Sequence, residues 1–115
     1  MYPMMGNIYY ADLPFEKNLQ SGRRPVIVVQ NDDGNKNASF VHMIPLTSKV
    51  EKGRHIPTHV ILTPTKENGL GGQSVALVEN LRPVPKSCLK RHVGHLCSEE
   101  ISELGKALRI QFPFM

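Results

Sequence analysis

A chain of 115 residues fits one domain, 1–115, with a single substantial core, and nothing in it calls for a second. Its 14 Lys and Arg against 10 Asp and Glu give a formal charge of +4 and a pI near 9.3, which favours polyanionic partners through phosphate contacts. Cys88 and Cys97 are too few for a disulfide scaffold and lack C-x-x-C spacing; the N-terminus has no leader pattern, and no segment approaches the ~20 apolar residues of a membrane span, so a soluble cytoplasmic protein with reduced thiols is expected.

In chain order, Asn7 to Leu13 alternates, with Ile8, Tyr10 and Asp12 on one face and Tyr9, Ala11 and Leu13 on the other, and predicts a first strand. Pro14 ends it, and Phe15 to Gly22 lacks an apolar period and reads as a loop. Gly22 to Asp32, GRRPVIVVQND, is the organising stretch. Pro25 biases Arg24 toward an extended conformation, and Val26 to Val29 has no polar alternate, which suits a central strand buried on both faces. Arg23 and Arg24 sit at its mouth, where a guanidinium offers rigid donors to phosphate oxygens. A solvated strand end is the plainer reading of the same pair.

Residues 32–37, DDGNKN, read as turn chemistry leading into a hairpin. Phe40 to Leu46 returns as a strand whose Pro45 argues for an edge or a bulge near Thr47. Lys49 to Ile56 is a basic loop, Thr58 to Leu62 a short strand and Thr63 to Gly72 a connection. Ser74 to Val84 reads as a second long strand, interrupted by Glu79 and Asn80; the carboxylate and amide either line a groove or, for Glu79, pair with a nearby arginine. Leu89 to Leu96 is short and irregular or extended. Ser98 then caps a helix with Glu99 and Glu100 in its first turn and an apolar stripe of Ile101, Leu104 and Leu108. Ile110, Phe112 and Phe114 are left to cover an edge or a partner subunit.

No P-loop, G-x-G-x-x-G turn, G-x-S-x-G elbow or H-E-x-x-H helix is present. His92, His95 and Cys97 alternate along a short segment with no fourth ligand close in sequence, which reads against a metal site, and His59 inside an apolar strand reads as a hydrogen-bonded structural residue. What remains is two strand ends, one bearing Arg24 and one bearing Thr47 and Ser48, flanked by basic loops. This suits metal-free phosphodiester chemistry on RNA, whose 2′-hydroxyl is its own nucleophile.

The blocks GNIYYADLP (6–14), GRRPVIVVQND (22–32), PLTS (45–48), PTHV (57–60), SVALVENLRPV (74–84) and VGHLC (93–97), in this order and spacing, make the chain resemble the MazF/PemK toxins of bacterial toxin–antitoxin systems, small sequence-specific endoribonucleases. The resemblance implies a mainly β (α+β) fold: a strongly curved antiparallel SH3-like barrel sheet with a C-terminal helix, acting as a homodimer without a cofactor. It implies that Arg24 and Thr47 are catalytic, and that Gln20, Ser48, Lys49, Ser74, Glu79 and Asn80 lie around the RNA. Its expected partners are single-stranded RNA and a cognate antitoxin whose acidic tail occupies the RNA site. Where family members often carry the Glu of a Gly-x-Glu turn, five residues before the catalytic arginine, this chain has Leu19. The competing readings are a non-catalytic toxin of the same fold acting on DNA gyrase and a plain nucleic-acid-binding barrel. Retention of both Arg24 and Thr47 favours the ribonuclease.

Overall fold

The β-branched run after Pro25 forms the middle of the molecule. The computed structural model describes residues 2–17, 19–49 and 56–115. Its strands are β1 (Asn7–Leu13), β2 (Gly22–Val28), β3 (Phe40–Thr47), β4 (His59–Leu62), β5 (Ser74–Leu77), β6 (Arg82–Pro85) and β7 (Leu89–His95), with helices α1 (Asp32–Asn37) and α2 (Ser98–Gln111). They form one antiparallel sheet in the order β4-β5-β3-β2-β1-β7, with β6 on the far part of β3. This is the mainly β architecture with a C-terminal helix expected from the sequence.

Strand alternation divides the core in two. Ile8 and Ile27 join Ile44, Leu46 and the α2 residues Leu104 and Ala107 on one face. Ala11, Leu13, Val26 and Val28 join Val41, Met43 and Val84 on the other. Val26, Ile27 and Val28 are all 0% exposed, so β2 is apolar on both sides because both sides are covered.

Several expectations are corrected. Residues 32–37 form a helical turn rather than an open one, because the Asn31 side chain accepts from the Gly34 N–H at 2.9 Å and Asp32 and Asp33 occupy the first turn. The hairpin itself stands, since β2 pairs with β3. β3 is not an edge: it pairs with β2 on one side, and with β6 and then β5 on the other, and Pro45 falls in the gap between those two ladders. Ser74 to Val84 is not one strand. It breaks into β5, a 3-10 turn over Val78–Asn80, and β6. Leu89 to His95, read as irregular or extended, is an extended strand on β1 whose register shifts twice, between Ile8 and Tyr9 and between Tyr10 and Ala11. The N-cap of α2 is Cys97, whose N–H donates to Glu100 Oε1 at 2.9 Å, and the buried stripe is Leu104 with Ala107, with Ile101 left 37% exposed. Most of the 49–56 loop lies outside the described residues. Ile110 and Phe114 are exposed, and among the described residues no helix is long and apolar enough to cross a membrane.

The connection 63–72 is held by Asn68, which is fully buried, donates to Thr63 O and Glu100 Oε2, and accepts from the N–H groups of Thr65 and Leu70. Gly94 in β7 lies directly under this turn; a Cβ there would meet Glu67 O at 2.4 Å and Asn68 backbone atoms at 2.5 Å. Gly94→Ala is therefore expected to cost at least about 1–3 kcal/mol, whereas Gly71→Ala, which faces open space, should stay within about 0.5 kcal/mol of the parent. Urea unfolding of the two variants checks this, and equal midpoints would show that the turn simply gives way.

Candidate active site

β2 begins at Gly22, whose φ of +77° is the left-handed conformation that glycine adopts without strain, and this turn folds Gln20 and Ser21 back over the strand mouth. Arg24, two residues on, is half-buried. Its Nε donates to Ser21 O at 3.0 Å, and its Nη1 donates to Gln20 Oε1 and, at 3.4 Å, to Leu46 O on β3. Among the described residues the guanidinium is thus held on one side by neutral acceptors.

A second guanidinium meets it. Arg82, the first residue of β6, donates through Nη2 to the backbone oxygen of Gln20 and through Nη1 to Asn80 O at 3.4 Å. Gln20 therefore grips Arg24 with its side chain and Arg82 with its main chain. Burial draws the Arg82 guanidinium below its ordinary range; the Glu16 carboxylate pushes back up and the Arg24 charge adds to the lowering. The sequence reading missed Arg82. The available signal was that Arg82-Pro83 repeats the Arg24-Pro25 dipeptide at the mouth of a strand.

Thr47 ends β3 beside this pair, and its Oγ1 accepts from the Lys49 N–H at 3.2 Å, which leaves the hydroxyl proton as a donor. Gln20, Arg23, Arg24, Leu46, Thr47, Ser48 and Lys49 line a cleft of about 280 Å³. A larger and more apolar groove of about 540 Å³ adjoins it between α2 and β4, sharing Gln20, Thr47 and Lys49. The smaller space holds Arg23 and Arg24 with the Thr47 and Ser48 hydroxyls, whereas the groove carries His59, Glu103 and Lys106 among apolar side chains.

Of the residues singled out from sequence, the structure brings Gln20, Arg24, Thr47, Ser48 and Lys49 together. Ser74 sits next to Val75, the partner of Thr47, but is buried with its hydroxyl donating to Gly72 O at 3.2 Å. Asn80 reaches the cluster through its carbonyl on Arg82. Glu79 lies in the 3-10 turn beyond the other end of β5, where it accepts from Thr58 Oγ1 at 2.9 Å and its Oε2 lies 2.7 Å from His59 Nε2. Among the described residues its partners are His59 and Thr58 rather than an arginine. Leu19 makes a local turn, its N–H donating to Glu16 O at 3.1 Å, and it is the next residue, Gln20, that touches the arginine. His92 and His95 are exposed on β7, and among the described residues no three His, Cys, Asp or Glu side chains gather as metal ligands.

Known proteins resemble this chain in sequence and in fold. Residues 4–112 match the family described as PemK-like, MazF-like toxin of type II toxin–antitoxin systems. An endoribonuclease MazF of Staphylococcus saprophyticus is 37% identical over 106 residues, spanning 91% of this chain and 87% of its own length. Among solved structures, MazF of Deinococcus radiodurans aligns with a TM-score of 0.81 at 23% identity, covering 98% of each chain. A mycobacterial endoribonuclease, solved in complex with its cognate antitoxin, aligns with a TM-score of 0.79 at 23% identity, covering 98% of this chain and 97% of its own.

The Glu79 contacts carry a pH dependence. Burial alone would raise its carboxyl, but the His59 hydrogen bond, its own backbone N–H, the Thr58 hydroxyl and the His59 charge together hold it below the ordinary value of 4.5. A carboxylate lowered in this way stabilises the fold fully above pH 4.5 and loses that contribution as pH falls through its own lower value. Glu79→Gln should be less stable than the parent at neutral pH and flatter through this acid window. Urea midpoints measured across the window check it, and parallel profiles would show that the carboxylate does not hold the turn.

Proposed function

We propose, of a chain that belongs to the PemK-like, MazF-like toxin family of type II toxin–antitoxin systems, that its Arg24 and Thr47 cleave single-stranded RNA at a short motif without a metal ion. The family and the 37% identical relative make the chain an endoribonuclease toxin. The products in this reading are a 2′,3′-cyclic phosphate and a 5′-hydroxyl. The 2′-oxygen forms a bond to phosphorus and gives up its proton, the bond to the 5′-oxygen breaks, and that oxygen takes up a proton, so no water is consumed and no redox change occurs.

The observation that carries this reading is the convergence of Arg24 and Arg82 on Gln20 beside the Thr47 hydroxyl. Charge develops on the phosphoryl oxygens in the transition state, and fixed cations are worth most where they are partly desolvated and already oriented. Arg24 supplies that charge, Thr47 donates to the same oxygens, and Arg82 adds to the field. RNA brings its own nucleophile, so the reaction needs no metal-bound hydroxide to attack phosphorus. Gln20, Ser48 and Lys49 line the cleft as substrate contacts. Ser74, Glu79 and Asn80 are assigned to the substrate by the resemblance, and Glu79 must then share its carboxylate between RNA and its two protein donors.

The same cations suit an acidic antitoxin tail that folds on the toxin and competes with RNA, with electrostatics setting association rate and salt sensitivity. Solution of relatives together with their antitoxins supports this partner. The toxin is read as a cytoplasmic homodimer.

Purified protein incubated with a long RNA in EDTA should cut it at a recurring motif and leave 5′-hydroxyl ends; intact RNA across many sequences would sink the ribonuclease reading. Arg24→Ala should lose on the order of 10²–10³ in rate with an unchanged unfolding midpoint, and parental activity would reject its role. Thr47→Ala should lose activity less severely, and Thr47→Ser should retain it if the hydroxyl rather than the methyl group is used.

A further inference from the structure

The positive charge of this chain is not spread evenly. Residues 82–97 hold four of the 14 lysines and arginines, Arg82, Lys86, Lys90 and Arg91, and none of the 10 acids, so the remainder balances at ten of each sign. Much of that segment is β7, the end strand of the sheet, on which Lys90, Arg91, His92 and His95 are exposed. Cations on an edge strand discourage pairing with another edge, and that accounts for exposed lysines generally. Arg91 is held differently. Its guanidinium carbon lies 4.9 Å from the ring centroid of Tyr10, directly opposite on β1. A guanidinium held against a ring on one side keeps its other side open and has less rotamer freedom left to lose on binding.

The register joins this pair to the cleft. Tyr10 lies opposite Pro25, and Asp12 lies opposite Arg23, so alternation places all four on one face of β1 and β2. Arg23 lines the cleft, and its side chain is 73% exposed. Its Nε lies 3.3 Å from Asp12, the acid on this path, and offsets that charge. Arg23, Tyr10 and Arg91 thus mark a path over three adjacent strands, roughly 10 Å across at about 4.8 Å per strand spacing.

We propose that this path, from Arg23 over Tyr10 to Arg91, binds nucleotides of the same RNA strand that flank the scissile phosphate. It rests on the ribonuclease reading above. Arg91 offers a cation to a flanking phosphate and an open guanidinium plane to a base, the two features by which proteins hold single strands. The contact lies away from the reacting atoms, so it raises affinity for long RNA without altering the chemistry in the cleft.

Once the wild-type cut site has been mapped on a long RNA, two RNAs are made around it, of roughly 5 and 16 nucleotides, each made non-cleavable by a 2′-deoxy sugar at the attacking nucleotide. Arg91→Ala should bind the longer one roughly tenfold more weakly, and its slope of log affinity against log salt should fall in size by about 0.7, the loss of one single-strand phosphate contact. Affinity for the short RNA should not change, and Arg91→Lys should restore the slope. Unchanged binding of the long RNA, or equal losses for both lengths, would overturn the proposal. So would a variant that binds long RNA normally but loses affinity for its antitoxin, which would assign the path to protein. If the wild type cuts no RNA the ribonuclease reading itself fails, whereas normal cutting with an indifferent Arg91→Ala removes only this subsite.

Discussion

The rest of the fold depends on β2 being covered on both faces. Val26 and Val28 enter one apolar cluster and Ile27 the other, so the strand has no side on which a charged residue could meet water except at its ends. Burial of one such side chain is worth about 1.5–3 kcal/mol, and burying a lone charge in its place would cost more than the strand gains. The arginines of the block are therefore confined to its mouth, and Arg24 sits where the strand emerges between the two clusters. The same constraint sets its neighbours: β1 and β3 must flank β2, which brings the end of β3, with Thr47, beside the start of β2.

Two arginines meeting at one glutamine is an unfavourable arrangement in isolation, since like charges repel and both are partly desolvated. It is tolerated because the acceptors are the carbonyls of Ser21, Gln20, Leu46 and Asn80 and the amide of Gln20. Neutral acceptors fix the geometry without cancelling the charge. Carboxylates in those positions would have bonded better and cancelled the charge; the Glu16 carboxylate acts on Arg82 without being one of these acceptors. The excess positive potential remains available for an anion in the cleft.

The break between β5 and β6 follows from the same accounting of polar groups. Val78 is fully buried, and Glu79 directly after it cannot follow into the core unpaired. The chain turns in a 3-10 step there, which lets the carboxylate meet Thr58 and His59 at the start of β4 and sends Arg82 back toward Gln20. A polar interruption in an apolar run thus becomes the bend that places the second cation.

Period-two alternation in Asn7 to Leu13, the unbroken run after Pro25 and the acidic first turn of α2 were legible in the sequence because each is written in contiguous residues. Six ordered blocks carried the family resemblance for the same reason. Signals that compete locally were harder to read: in residues 32–37 turn chemistry and helix capping use the same residues, and the cap formed by Asn31 decided for the helix. The Arg82-Pro83 dipeptide marked a strand mouth, but the contact of Arg82 with Gln20 and the pairing of Arg91 with Tyr10 were not legible. Arg82 reaches Gln20 across 62 positions, and Arg91 faces Tyr10 only through the β1–β7 register, which includes two irregularities. Apolar periodicity determines which segments become strands and which faces they bury, but only the packed sheet decides which strand ends meet, because that depends on pairing order and register summed over the whole chain.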